Sequence, residues 1–337
     1  MPRVGVVGFR GYSGAELVKI LLRHRGVEPW LLEHRSEAAE RPLPRGHRAL
    51  PRLNSSTDAV KAADLAVVFL ATPAEVSMEL APAMLEAGAR VIDLSGAFRL
   101  GRAEIYRRWY REEHTHPELL SEAVYGLPEL YRERIRTARL VANPGCYPTA
   151  ANLALRPLVE SGIADRTAGF ICDAKSGVSG AGRKPSLRTS FCEVTENFSA
   201  YSVFDHRHVP EVLQNSGLEE SEFTFTAHLL PLDRGILETI YFRTQDGCSA
   251  ERILAIYEER YRGEAFVRFY EPGTLPDLRC VQHTNYCDIG FRHDASSGRT
   301  VVVSVIDNLV KGAAGQAVQN MNLMLGFEET EGLLCGC

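Results

Sequence analysis

"RVGVVGFRGYSGAELVKILLRHRG", residues 3–26, is the stretch whose reading decides the fold. It opens on a short apolar, β-rich run and continues with Leu17, Val18, Leu21 and Leu22 on one helical face. Between the two, Gly8, Gly11 and Gly14 stand three residues apart. Glycines in a strand-to-helix loop permit a tight turn and let a pyrophosphate approach the helix start, where free N–H groups and the dipole favour an anion. The spacing is G-x-x-G-x-x-G rather than the usual G-x-G-x-x-G, but strand, loop and helix follow in the required order. Gly8, Gly11, Tyr12, Ser13 and Gly14 are therefore candidate dinucleotide contacts, with a plain β-α turn as the alternative.

Working outward, "EPWLLE", "LAVVFLA", "RVIDLS" and "RLVAN" read as further strands, separated by helical patterns such as "EVSMELAPAMLEAG". Strand and helix in repetition predict an α/β fold with a parallel sheet and right-handed crossovers. After "EPWLLE", Arg35 and Ser36 stand where an acid would bind a ribose diol, and a guanidinium there suits a 2′-phosphate, favouring NADP, while a one-residue shift of the strand end would put the acid Glu33 at the tip instead. Past residue 146 the rhythm changes. "EFTFTAHLLPL" and "GILETIYFRT" suggest neighbouring antiparallel strands, "SAERILAIYEERYRG" a helix beside them, and "TVVVSVIDN" a last strand. The small residues of "LVKGAAGQAVQNMNLMLGF" predict a final helix packed closely on the first domain.

Composition narrows the function. The chain of 337 residues carries 38 basic and 43 acidic residues, a formal charge of -5, with no basic block that would mark nucleic acid or an anionic membrane as partner. The sequence predicts neither a secretion signal nor a membrane span. Its eight cysteines include no C-x-x-C pair and suit reduced, cytoplasmic thiols.

One of those thiols stands apart. In "NPGCYPTA", residues 143–150, Pro144 and Gly145 place Cys146 at the first turn of the following helix, a setting that stabilises a nucleophilic thiolate. "FDHRHVPEV" supplies His206, His208 and Glu211: an imidazole to move the thiol proton and a carboxylate to orient it, with no third ligand spaced for a metal. His114 and His116 share the spacing and read as surface histidines. In "DAKSGVSGAGRKPS", Ser176, Gly177, Ser179, Gly180 and Gly182 could form an anion nest, with Lys175, Arg183 and Lys184 adding charge, or a solvated loop.

"VANPGCYPTAANLALRP" resembles the active-site signature of the N-acetyl-gamma-glutamyl-phosphate reductase family, and "SGVSGAGRKPSLRTSFCEVTENFSAY", "HRHVPE", "VYGLPEL" and "DNLVKGAAGQAVQNMNLMLGF" resemble further blocks in the family's order. The resemblance spans nearly the whole chain. It implies a Rossmann domain at 1–145, completed by a C-terminal helix at 311–330, and an α+β catalytic and oligomerisation domain at 146–310. It implies NADPH-dependent reduction of an acyl phosphate to a semialdehyde through a thioester on Cys146, in a homo-oligomer, dimer or tetramer. His206 and His208 are then the acid-base candidates, His206 slightly preferred, with Glu211 orienting. Asn308 meets the nicotinamide amide, Ser176 to Gly182 lie near the nicotinamide and the phosphate, Arg99 meets substrate or holds its loop, and Asn143, Arg183 and Lys184 meet substrate. Two segments depart from the family: Phe9 and Arg10 in "GFRGYSG", and "ATPAEVS" where relatives commonly carry Pro-His-Gly. The lysine-pathway aminoadipyl-phosphate reductase and aspartate-semialdehyde dehydrogenase remain as alternatives. So do a non-catalytic NADP-binding regulator and a thiol hydrolase.

Overall fold

The computed structural model describes residues 1–34 and 50–334, so the expected contacts Arg35 and Ser36 and the thiols Cys335 and Cys337 lie outside the described residues. Seven strands, β1 (Arg3–Val7), β2 (Glu28–Glu33), β3 (Arg52–Asn54), β4 (Leu65–Leu70), β5 (Arg90–Asp93), β6 (Val124–Tyr125) and β7 (Leu140–Ala142), build a first sheet in the order β3-β2-β1-β4-β5-β7-β6. Every pairing in it is parallel. Continuous apolar strands such as "LAVVFL" suit a sheet covered on both faces. On one face Val4 and Val6 pack with Leu17, Ile20 and Leu21 of helix Tyr12–Arg23; on the other Val7, Val68 and Leu70 pack with Leu80, Ala81 and Met84 of helix Ala74–Glu86. The chain leaves β1 toward β2 and β3 and returns to β4 on the other side. The gap beyond the ends of β1 and β4 is thus the topological switch point, where open α/β sheets bind ligands.

The second sheet holds β8 (Phe170–Gly177), β9 (Ser199–Tyr201), β10 (Phe223–Leu230), β11 (Ile236–Arg243), β12 (Val267–Phe269), β13 (Cys287–Asp294) and β14 (Arg299–Ile306), in the order β12-β13-β14-β11-β8-β10-β9. The expected pairing of β10 with β11 is not formed. β8 lies between them, parallel to β10 and antiparallel to β11. Alternation of apolar and polar residues reports which face a side chain takes, not which strand is its neighbour. The inner face, with Phe225, Ile240, Phe291 and Val302, packs on helix Cys146–Glu160 and on Tyr257 of helix Ala250–Arg260, whose hydroxyl donates to the Ala154 carbonyl at 2.8 Å.

The final helix docks on the first sheet's core as expected: Ala314, Ala317, Val318 and Met321 join Val4, Leu17 and Leu21. It begins with a wide turn, Val310–Ala314, in which the N–H groups of Gly312 and Ala314 reach back five residues to Asp307 and Leu309. That turn carries Lys311, wholly buried and ion-paired to buried Glu129 at 2.6 Å.

Candidate active site

Gly8 and Gly14 close the switch-point crevice by their lack of side chains. Gly8 has φ of +77°, and a Cβ on it would lie 2.2 Å from the Ala71 carbonyl oxygen; one on Gly14 would lie 2.3 Å from that of Gly8. Gly11 caps the helix without a side-chain bond, and the first helical bond runs from Ala15 N–H to Gly11 at 2.9 Å. The N–H groups of Tyr12, Ser13 and Gly14 therefore have no helical acceptor and face an anion site. The cradle, the glycine turn and the uncapped helix fit a dinucleotide pyrophosphate.

Across the crevice, Arg183 donates to the Arg10 carbonyl at 2.5 Å. A pocket of about 220 Å³ opens between Tyr12, Ser179, Gly182, Arg183 and Asp233. Asn308 accepts from Gly235 N–H at 2.7 Å and donates to the Ser179 hydroxyl at 3.0 Å. A Cβ on Gly180 would lie 2.8 Å from the Ser176 hydroxyl, and one on Gly177 2.8 Å from the Arg234 nitrogen. The structure thus gathers Ser176, Gly177, Gly180, Arg183 and Asn308 at one wall. Lys184 is exposed, and Lys175 pairs with Asp173 at 2.7 Å.

Cys146 is the first residue of helix Cys146–Glu160, behind Gly145 as N-cap. A Cβ on Gly145 would lie 2.8 Å from His208 Nε2 and 3.0 Å from Arg99 Nη1. Only glycine lets an imidazole nitrogen rest against the backbone that leads into the thiol. His208 holds this place rather than His206, against the slight sequence preference. His206 Nδ1 accepts the His208 backbone N–H at 3.1 Å and stacks edge-on to Tyr147. Burial pushes the His206 imidazole down to about 4 and His208 well below its ordinary range, so both rest neutral and hold a proton only weakly. The Cys146 thiol, expected as a thiolate, is instead pushed up to about 11. Burial outweighs the opposing pull of the Arg99 charge and the Tyr147 N–H.

Glu211 is not an imidazole orienter. Its wholly buried carboxylate accepts from Gly145 N–H at 2.9 Å, Tyr125 OH at 3.1 Å and Arg99 at 3.2 Å. Arg99 gives two further N–H groups to the carbonyls of Asn143 and Leu94, at 2.8 and 2.9 Å. Asn143, expected at the substrate, is buried and donates to the Ala313 carbonyl at 3.1 Å. All three hold the thiol loop in place. His114 is a core histidine, its Nε2 3.0 Å from the Ala97 carbonyl, while His116 keeps a partly exposed pairing with Glu118.

Sequence reasoning missed one bridge. Arg234 reaches Glu16 on the crevice helix and Asp307 beside Asn308, each at 3.2 Å. An arginine between Asp233 and Gly235 in a polar turn gives no local sign of such a role. Among the described residues, no cluster of three or more His, Cys, Asp or Glu side chains could hold a metal ion, and no helix is long and apolar enough to cross a membrane.

Two family profiles match the chain: semialdehyde dehydrogenase, NAD binding domain, over residues 3–138, and semialdehyde dehydrogenase, dimerisation domain, over residues 146–308. The N-acetyl-gamma-glutamyl-phosphate reductase of Symbiobacterium thermophilum is 49% identical, covering 98% of this chain and 97% of its own. That of Syntrophobacter fumaroxidans is 47% identical, over 99% and 98%. Among solved structures, aspartate semialdehyde dehydrogenase II of Vibrio cholerae, complexed with ASA, aligns with a TM-score of 0.72 over 97% of this chain and 98% of that one. At 20% identity this is a likeness of fold. The aspartate semialdehyde dehydrogenase of Candida albicans with NADP gives 0.67 at 16% identity, over 96% and 98%.

Proposed function

The chain belongs to the N-acetyl-gamma-glutamyl-phosphate reductase family, and from that premise we propose that Cys146 is its nucleophile and His208 the base that serves it. The enzyme reduces N-acetyl-gamma-glutamyl phosphate to N-acetylglutamate 5-semialdehyde with NADPH, a step of arginine biosynthesis. The observation that carries the residue assignment is the packing of His208 Nε2 against Gly145, immediately before the thiol. The Cys146 proton passes to His208 Nε2 as the sulfur attacks the acyl carbon. The C–O bond to phosphate breaks, and the protonated imidazole returns its proton to the departing phosphate. The coenzyme, when bound, supplies the hydride that the thioester accepts. The C–S bond then breaks, the semialdehyde leaves, and the sulfur regains a proton from solvent through His208. Gly8, Gly11, Tyr12, Ser13 and Gly14 would hold the pyrophosphate, and Ser176, Gly177, Gly180 and Asn308 would shape the nicotinamide wall.

The test is trapping. Acyl phosphate mixed with enzyme in the absence of NADPH should leave an acyl adduct on the Cys146 peptide; an unmodified peptide in an enzyme that still turns over would end the assignment. Comparing turnover of N-acetylglutamyl, aminoadipyl and aspartyl phosphates separates the family reaction from its neighbours.

The domain reading, 1–145 with 311–330 against 146–310, is supported by the two sheets, each packed on its own helices, and by the final helix packing on the first. A homo-oligomer, dimer or tetramer, would use the outer face of the second sheet. There Ile171 and Tyr241 stand 51% and 42% exposed beside a groove of about 630 Å³ reaching Arg243, Arg292 and Val301. Sedimentation as a concentration-independent monomer would refute it. Free thiols at Cys146, Cys172, Cys192, Cys248, Cys280 and Cys287 suit a reducing cytoplasm.

A further inference from the structure

The turn that joins β10 to β11 backs the nicotinamide wall. Gly177 N–H donates to the Gly235 carbonyl at 2.9 Å, Val178 to Leu232 at 2.8 Å and Ser179 to Asp233 at 3.1 Å, while Gly235 N–H is itself held by Asn308. Arg234 stands in the middle of this turn, and its side chain is buried. A guanidinium out of water needs compensating charge. Arg234 finds it on two elements far apart in the chain: Nη2 donates to Glu16 of helix Tyr12–Arg23, and Nη1 to Asp307 just past β14, each at 3.2 Å. A planar fork can serve two carboxylates at once.

Each anchor stands beside a proposed coenzyme contact. Glu16 is the fifth residue of the helix whose first N–H groups face the pyrophosphate, about 6 Å along the axis from Tyr12. It is buried, and its other partner, Lys19 at 3.2 Å, lies on the same helix. The Asp307 carboxylate is wholly buried and accepts from Arg234, from His283 N–H at 2.7 Å, and from Leu309 and Val310 N–H at 2.8 and 3.1 Å. Those bonds fix the backbone on both sides of Asn308. One guanidinium thus spans the crevice, from the helix of the first sheet to the wall built on the second.

We propose that Arg234 is a positioning residue for the coenzyme: acting through Glu16 and Asp307, it keeps the pyrophosphate helix and the nicotinamide wall in one register, so that anchoring one half of the dinucleotide places the other. The inference rests on the coenzyme contacts and the Cys146 nucleophile proposed above. A ligand that spans two half-sites gains from the second in proportion as their spacing is fixed beforehand. Misplacing a hydride donor by about 1 Å lowers the rate on the order of 10²-fold. The same guanidinium neutralises Glu16, whose bare carboxylate would oppose an anion at the helix start.

The test uses R234Q and the double variant E16A/R234Q, in which the helix keeps no bare carboxylate and Asp307 keeps its three backbone donors. Calorimetry comes first. The fragment 2′-phospho-ADP-ribose, which lacks nicotinamide, should bind the double variant within about 2-fold of wild type, and NADPH about 10-fold more weakly. The two chemical steps are then timed apart. Acylation of Cys146 without NADPH should stay within about 3-fold in R234Q, while hydride transfer from saturating NADPH to the preformed acyl-enzyme should fall about 30-fold to 100-fold. R234K, whose point charge reaches one carboxylate at a time, should recover only part of that loss. A merely structural arginine would slow both steps together or neither. Equal weakening of fragment and NADPH, or equal effects on the two steps, would overturn the proposal. A wild type that forms no acyl adduct, or does not bind the fragment, would instead overturn the site reading beneath it. Should the Arg234 variants fail to fold, E16A decides by cutting the bridge at its helix end: hydride transfer should slow with acylation unmoved, and an unchanged hydride rate rejects the coupling.

Discussion

The helix that starts at Tyr12 and the helix that starts at Cys146 leave the same parallel sheet in the same way, each through a glycine N-cap with no side-chain bond. At Tyr12 the start faces an open crevice, and the side chain itself is 44% exposed. At Cys146 the start is crowded by Arg99, His208 and Gly312, and the residue is only partly exposed. The first can receive a large hydrated anion. The second makes its thiol a weaker acid, because water loss costs the thiolate more than the helix N–H groups return. A helix start therefore offers a fixed, modest attraction for negative charge, and solvent decides whether it prevails.

The sharpest way to break this contrast is to remove the sulfur. Cys146→Ser should lower kcat by on the order of 10³-fold or more, with NADPH binding by fluorescence titration unchanged. Retained turnover would mean that this helix start serves only to bind an anion, like the other. His208→Asn should cost 10²-fold to 10⁴-fold, on the order of general-base removal, and His206→Asn markedly less, measured as kcat/KM for the acyl phosphate. Equal losses would erase the distinction drawn from Gly145. Glu211→Gln should leave the Arg99 charge buried and uncompensated, and cost about 3–5 kcal/mol in chemical denaturation.

Two pH experiments refine the comparison. In the enzyme without substrate, alkylation of Cys146 should rise toward about pH 11 and run roughly 100-fold slower at neutral pH than that of an ordinary cysteine. A plateau near pH 8 would show the helix winning over burial. The smallest effect is on stability. His206 and His208 are depressed in the folded state, so the unfolded chain binds protons first as pH falls below about 6.5. Folding free energy should decline from there toward about pH 4, where folded His206 also protonates. His206→Gln should flatten that decline in thermal melts, and an unchanged slope would refute buried neutrality.

What could be read from sequence was local. The strand, glycine turn and helix of residues 3–26 and the Pro144-Gly145-Cys146 start are set by short-range periodicity and backbone permission, and the folded chain has them in place. The neighbours of β10 and β11 were illegible because alternation is blind to the strand inserted between them. Glu211, Arg99 and Asn143 were seen as polar and near the thiol, but whether a buried polar group meets substrate or its own backbone depends on side-chain direction in space. Arg234 carried no signal, its partners Glu16 and Asp307 coming from the crevice helix and from the end of β14.

Gly312 comes late in the chain, and its bare backbone lies against Cys146, where a Cβ would sit 2.8 Å from the cysteine Cβ. Synthesis runs from the amino end, so the thiol and both histidines leave the ribosome well before the segment that roofs them. The reactive centre is finished by its last-made neighbour, a residue that contributes no chemistry of its own.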